Sequence, residues 1–213
     1  MARMVDVYPD LDTLKGEMLK GRDYRVRILD RASTVTIIAP HGGFVDEGTS
    51  ALARAVAGKN YNLFDFQGLL SVEAFRLHVT STNFRDPSLT RFLNTSAFAV
   101  SVHGMDDEQP GHREIWLGGL NPELKRRMQI ALEAADFAVN VSPPKFRGEH
   151  PKNVVNLALQ KGVQLELPLT LRKQMYVGGK TFYAHGRCPK TTPLFDSFVF
   201  AVRVAISEHA RMR

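Results

Sequence analysis

Strand-like and helix-like segments alternate along this chain, and the alternation predicts an α/β fold. The expected architecture is one domain over residues 1–213, an open sheet of mixed parallel and antiparallel strands flanked by helices. Two further observations support it. With 213 residues and 44% apolar side chains, the chain is long enough for one large core and short for two. No internal repeat or low-complexity tract breaks the alternation.

The elements follow in order. Residues 24–29 alternate polar and apolar, the pattern of a half-buried strand. Residues 33–38 are a β-branched run and predict a buried strand, with residues 39–43 as a sharp loop after it. Thr49 or Ser50 is placed to cap a helix through residues 51–57, which Gly58 stops. Residues 61–66 and 77–82 predict strands, and Pro87 opens a short helix to about Asn94. Residues 98–103 form a third buried strand ended by Gly104, and residues 115–117 precede the Gly118–Gly119 pair. Pro122 opens the clearest helix, through Ala135. A strand at 137–141, a Pro-rich loop at 143–151, a helix at 153–160 and a strand at 163–167 come next. A last helix runs from about Pro193 to near Ala210.

Composition narrows the function. The net charge of +6 suits an acidic partner: nucleic acid, a membrane surface or a polyanionic substrate. The densest basic cluster, Lys125–Arg126–Arg127, lies on one helix and is short for a nucleic-acid footprint. No zinc finger, helix-turn-helix or RNA-binding signature is present. No segment approaches the roughly 20 apolar residues that span a bilayer. The first residues show no secretory signal, so the expectation is a chain made in the cytoplasm and released, if at all, on lysis. The single cysteine, Cys188, excludes an intrachain disulfide framework, and its Gly-Arg-Cys-Pro setting gives no case for a nucleophile.

In open α/β sheets ligands sit beyond the carboxyl ends of the strands. Three such ends carry chemistry. His41 follows an apolar strand and precedes two glycines, with Asp46 and Glu47 five and six residues on. An imidazole and a carboxylate on one loop suit a catalytic zinc site; the same acids also suit the dipole of the following helix. His103 ends another apolar strand, as a ligand or as a core histidine bonded to a carbonyl. Two histidines and one carboxylate leave one coordination position for water. Glu166 shares a strand face with Gln164, opposite Val163, Leu165 and Leu167. That face is either solvent-exposed or presents Glu166 as a general base that passes a proton from water to a leaving nitrogen.

Taken in order, the blocks Ala39-Pro40-His41-Gly42-Gly43, Gly48-Thr49-Ser50, residues 77–84, Ser101-Val102-His103-Gly104 and residues 162–167 resemble the phage-type poly-γ-glutamate hydrolase family, whose members have often been labelled phage-related replication proteins. The blocks lie between about residues 24 and 172. The resemblance implies a compact relative of carboxypeptidase A with an open mixed sheet and one zinc. It places the metal ligands on His41, Asp46 and His103 and the general base on Glu166. The family's carboxylate ligand is usually Glu, within His-Gly-Gly-Gly-Ile-Glu. Here the segment reads His41-Gly42-Gly43-Phe44-Val45-Asp46-Glu47, with Asp46 in register and Glu47 its rival.

Secondary candidates are His78, beside Thr80 and Thr82, and Asn83, Arg85 and Arg172, which have the chemistry to pair with substrate carboxylates. Each also has an ordinary reading, as a core histidine or a solvated surface group. His112, His150 and His185 are expected at the surface. The leading expectation is a zinc amidohydrolase of an anionic polymer, poly-γ-glutamate. The alternatives are a cell-wall γ-glutamyl peptidase and a basic nucleic-acid-binding replication protein.

Overall fold

The computed structural model describes residues 5–181 and 189–212. His185 and Cys188 lie outside the described residues. Seven strands form one sheet in the order β1-β3-β2-β4-β7-β5-β6. They are β1 (Tyr24–Leu29), β2 (Val35–Gly43), β3 (Asn62–Gly68), β4 (Phe98–Met105), β5 (Ile115–Gly118), β6 (Val139–Asn140) and β7 (Gly162–Pro168). The central strands β3, β2, β4 and β7 are parallel, while β1 pairs antiparallel with β3 and β5 antiparallel with β7. The sheet is therefore mixed, as expected.

The helices are α1 (Leu11–Glu17), α2 (Thr49–Ala57), α3 (Pro87–Thr95), α4 (Pro122–Glu133), α5 (Leu169–Gln174) and α6 (Pro193–Arg211). Each longer helix buries one stripe. Helix α4 buries Leu124, Met128 and Leu132, four residues apart, and Asn121 caps its first turn by accepting from the Leu124 amide. Asp86 does the same for α3, ahead of Pro87. One sheet face carries α2, α4 and α6 over Ile37, Val100, Val102 and Leu165. The other carries α1 and the segments around residues 77–93 and 154–158 over Ile38, Phe64, Phe66 and Ala99.

Several expectations are corrected. Residues 39–43 are not a loop: β2 continues to Gly43, with a bulge between Ala39 and Gly42 where its register to β3 shifts. Gly43 takes φ 72 there, and a Cβ would meet the Gly68 carbonyl at 2.1 Å. Gly48, not Thr49 or Ser50, occupies the cap of α2; the Ser50 hydroxyl instead bonds Asp65. Residues 77–82 are not a strand. A 3₁₀ turn, Ala74–Leu77, leads into a loop that joins no sheet edge. The expected helix at 153–160 is one 3₁₀ turn, Val154–Leu157. Two adjacent β-branched residues disfavour a helix there, and the Asn156 amide is used to hold the Gly148 and His150 carbonyls. The strand at 137–141 shrinks to two residues. Helices α1 and α5 were not anticipated, being short.

The chain runs from β2 outward to β3 and then returns to the other side of β2 as β4. The crevice at the carboxyl ends of β2 and β4 is thus a topological switch point, where such sheets bind ligands.

Candidate active site

His41 and His103 come together at that crevice. The bulge turns the end of β2 so that the His41 ring faces β4, and the two rings lie 5.0 Å apart edge to face. The Nδ1 atoms are 3.2 Å apart. Asp46 Oδ2 lies 3.4 Å from His41 Nδ1 and accepts the Gly104 amide at 2.9 Å. The three side chains offer ligand atoms all within 4.8 Å of one another.

The outer nitrogens fix the chemistry. His41 Nε2 is 2.8 Å from the Val79 carbonyl, which can only accept, so Nε2 carries a proton and Nδ1 is the atom turned toward His103 and Asp46. His103 Nε2 is 3.2 Å from the Ser101 hydroxyl, a partner that accepts or donates, so His103 can present Nδ1 likewise. Burial, followed by the neighbouring His41, pushes the His103 pKa down to about 3, so this ring is neutral at neutral pH. Burial raises the Asp46 pKa, but bonding to His41, the Arg172 charge and the Gly104 amide outweigh it and bring it to about 2. The neutral His103 ring, the His41 imidazole and an ionised carboxylate converge in a buried crevice, a donor set suited to zinc.

Glu47, the rival carboxylate, points elsewhere: its Oε2 accepts from the Thr181 hydroxyl at 2.7 Å. Arg172 is not a free arm. It is buried, and it donates to the carbonyls of Leu167, Glu47 and Met105. Its guanidinium lies so close over Gly104 that a Cβ there would meet Cζ at 2.4 Å. A glycine is therefore needed beside His103, where its amide also holds Asp46.

Glu166 is the register partner of His103 on β7 and of Trp116 on β5. It is buried, so the exposed-face reading of this strand is corrected. The loop 143–153 is bonded to the neighbouring Gln164 through the Phe146 carbonyl and Asn153, and Gln164 Nε2 donates to Glu166 Oε1 at 2.7 Å. Burial first, and the Asp46 charge second, raise the Glu166 pKa well above the usual carboxylate range, against the Gln164 bond and the Arg172 charge.

His78 stands over the site by a different route from the one expected. Its ring centre is 4.0 Å from that of His41, and Asp6 accepts its Nδ1 at 2.6 Å. Asn83 and Arg85 are exposed, bonding the carbonyls of Pro9 and Lys152. His112, expected at the surface, is buried 5.7 Å from the Trp116 ring. The basic cluster Lys125–Arg126–Arg127 is engaged with Glu149, Glu123 and Glu208, which weakens any nucleic-acid footprint further.

Some site residues escaped the sequence reading. Asp65 is buried and bonded by Ser50 at 2.7 Å and by Gln67, while Ser50 Oγ also accepts the Gly43 amide at 3.0 Å. This network braces the bulge that aims His41. Alternation with Phe64 and Phe66 marks Asp65 as facing away from those rings, but an exposed strand gives the same signal. Gln164 was detectable, since it shares the Glu166 face at period two.

Comparison with known proteins identifies the family. The model of the family described as Poly-gamma-glutamate hydrolase matches residues 8–201. A solved bacteriophage poly-gamma-glutamate hydrolase is 29% identical, covers 98% of this chain and 100% of its own, and superposes with a TM-score of 0.91. YndL, in a zinc-free apo structure, is 27% identical over 96% of this chain and 99% of its own, with a TM-score of 0.85. The SPbeta prophage-derived protein YoqZ of Bacillus subtilis (strain 168) is 28% identical over 207 residues, 96% of this chain and 73% of its own length. Among the described residues no helix is long and apolar enough to cross a membrane. The chain belongs to the poly-γ-glutamate hydrolase family and is, by that membership, a hydrolase of amide bonds.

Proposed function

We propose that this protein is a zinc-dependent hydrolase that cuts γ-glutamyl amide bonds in poly-γ-glutamate. The observation that carries the metal assignment is the pair of buried Nδ1 atoms, 3.2 Å apart, with the Asp46 carboxylate beside them. His41, His103 and Asp46 would hold the zinc, and the zinc-free description of YndL supports that choice of metal. When bound, zinc supplies Lewis acidity toward the substrate carbonyl and lowers the pKa of water.

The remaining chemistry belongs to the chain. Glu166, on the strand beside His103, takes the proton from the attacking water and delivers it to the leaving nitrogen. Its raised pKa suits it to hold that proton between the two transfers. Gln164 fixes the carboxylate from below, and the Val79 carbonyl and Ser101 hydroxyl fix the two imidazoles. The +6 net charge draws in a polymer with one carboxylate per residue, an attraction that weakens with salt as the Debye length falls below about 10 Å at 0.1 M.

The test is incubation of zinc-replete protein with poly-γ-glutamate, followed by product sizing. Shortened polymer is expected, with little cleavage of α-linked polyglutamate at equal salt. The two polymers carry equal charge but place their carboxylates differently relative to the scissile amide. Equal rates would reduce recognition to bulk electrostatics. Activity on muropeptides with none on the γ-polymer would move the substrate to peptidoglycan.

A further inference from the structure

Beyond Glu166, on the side away from the histidines, the structure holds an aromatic side chain in an unusual position. Phe146 is 48% exposed, yet its backbone sits at φ 55, a left-handed conformation that bulky residues avoid. Core packing does not require this, because half of the ring is in solvent. The position is held from several directions. The Phe146 carbonyl accepts from Gln164 Nε2 at 3.2 Å, and that nitrogen also bonds Glu166. Gln164 Oε1 accepts from Asn153 at 2.9 Å, and the neighbouring Arg147 carbonyl accepts the Gly119 amide at 2.8 Å. Strain maintained by this many ties points to a functional position.

The surroundings indicate what is gripped. The Phe146 ring lies 6.2 Å from Trp116, the cross-strand partner of Glu166. The Lys145 ammonium sits 5.3 Å from the centre of the Phe146 ring, with Glu108 as its carboxylate partner at 2.7 Å. Both members of that pair are exposed, and such pairs exchange readily for another carboxylate. An aromatic corner next to an ammonium complements a γ-glutamyl unit, which presents two backbone methylenes and one α-carboxylate.

We propose that Phe146 and Lys145, backed by the buried Trp116, form a binding site for the γ-glutamyl unit on the Glu166 side of the scissile bond. The methylenes pack on the Phe146 ring at the edge of Trp116, and the α-carboxylate replaces Glu108 on Lys145. Gln164 connects this site to the general base, since one nitrogen bonds both the Phe146 carbonyl and Glu166. The inference deepens the proposed function and rests on γ-glutamyl chains being the substrate.

Trp116 is the only tryptophan in the chain, so its fluorescence reports on this corner. The Glu166→Gln chain, and the metal-free chain as a second non-cleaving background, are titrated with short γ-linked glutamate oligomers. A saturable change is expected. Phe146→Gly should raise the half-saturation concentration about tenfold, the loss of one apolar contact. Its thermal midpoint should be unchanged or higher, because glycine accepts the positive φ. A merely structural Phe146 would lower that midpoint. Glu108→Gln should lower the half-saturation concentration by freeing Lys145. Cleavage of the polymer by the wild-type chain with a titration indifferent to Phe146→Gly overturns the site and leaves the hydrolase reading standing. A saturable, Phe146-dependent titration without cleavage of the polymer overturns the proposed cleavage of poly-γ-glutamate and keeps the site. Neither response removes both.

Discussion

Arg172 donates from Nη1 to the backbone carbonyl of Glu47 at 2.7 Å, and this bond helps decide which of two adjacent carboxylates faces the histidines. Nε and Nη2 of the same guanidinium hold the carbonyls of Leu167 and Met105, so the loop after β2 is tied to the ends of β7 and β4. With the Glu47 backbone fixed, its carboxylate reaches Thr181, and Asp46 lies against His41 and the Gly104 amide.

Metal affinity should follow that division. Asp46→Ala removes a carboxylate from the donor set and should weaken zinc binding by more than about 100-fold, beyond the usual effect of an outer partner. Glu47→Ala should leave one zinc per chain by elemental analysis. The reverse order would transfer the ligand role to Glu47.

The Arg172 clamp should be worth about 3 kcal/mol, because its loss leaves buried carbonyls without donors. Arg172→Met should lower the thermal midpoint of the metal-free protein by roughly 6–12 °C. Arg172→Lys should recover little, since one ammonium does not span three carbonyls. An unchanged midpoint for Arg172→Met would show that the three bonds contribute nothing net.

Glu166→Gln keeps the size and can still bond the Gln164 side chain but removes the basic oxygen. Turnover of poly-γ-glutamate should fall by about 10²- to 10⁴-fold while zinc content stays at the wild-type value. Near-normal turnover would leave Glu166 a merely structural residue on β7.

The N-terminal segment should respond to acid. Burial raises the Asp6 pKa, but bonds from His78 and the Thr80 amide dominate and lower it to about 2. A carboxylate depressed in the folded state stabilises above its free value of about 3.9 and loses that contribution as pH falls through about 2. Protection of the Thr80 amide, which donates to Asp6 at 2.7 Å, measured relative to its intrinsic exchange rate, should therefore fall between about pH 4 and 2. Asp6→Ala, which removes the acceptor, should expose the Thr80 amide already at neutral pH. Protection at Thr80 that is indifferent to both changes would show that Asp6 does not hold this segment.

Much of this protein was legible in its sequence, for identifiable reasons. Short apolar runs gave the buried parallel strands, β-branched at residues 33–38, and Pro87, Pro122 and Pro193 marked the starts of α3, α4 and α6, because these signals act over a few residues. Histidines at the ends of two apolar strands pointed to the crevice, since burying an imidazole there calls for a partner. Other features depended on contacts between distant residues. Whether residues 77–82 form a strand depended on a free sheet edge, and β1 already occupied that of β3. The burial of Glu166 was not legible, because an alternating strand has the same pattern whether its polar face meets water or a covering segment. The choice of Asp46 over Glu47 involved Arg172, 125 residues further on, and Thr181, 134 residues on. The sequence by itself determined the fold class and the kinds of side chain at the site; the tertiary structure decided their direction, because direction depends on backbone ties between strands that only folding brings together.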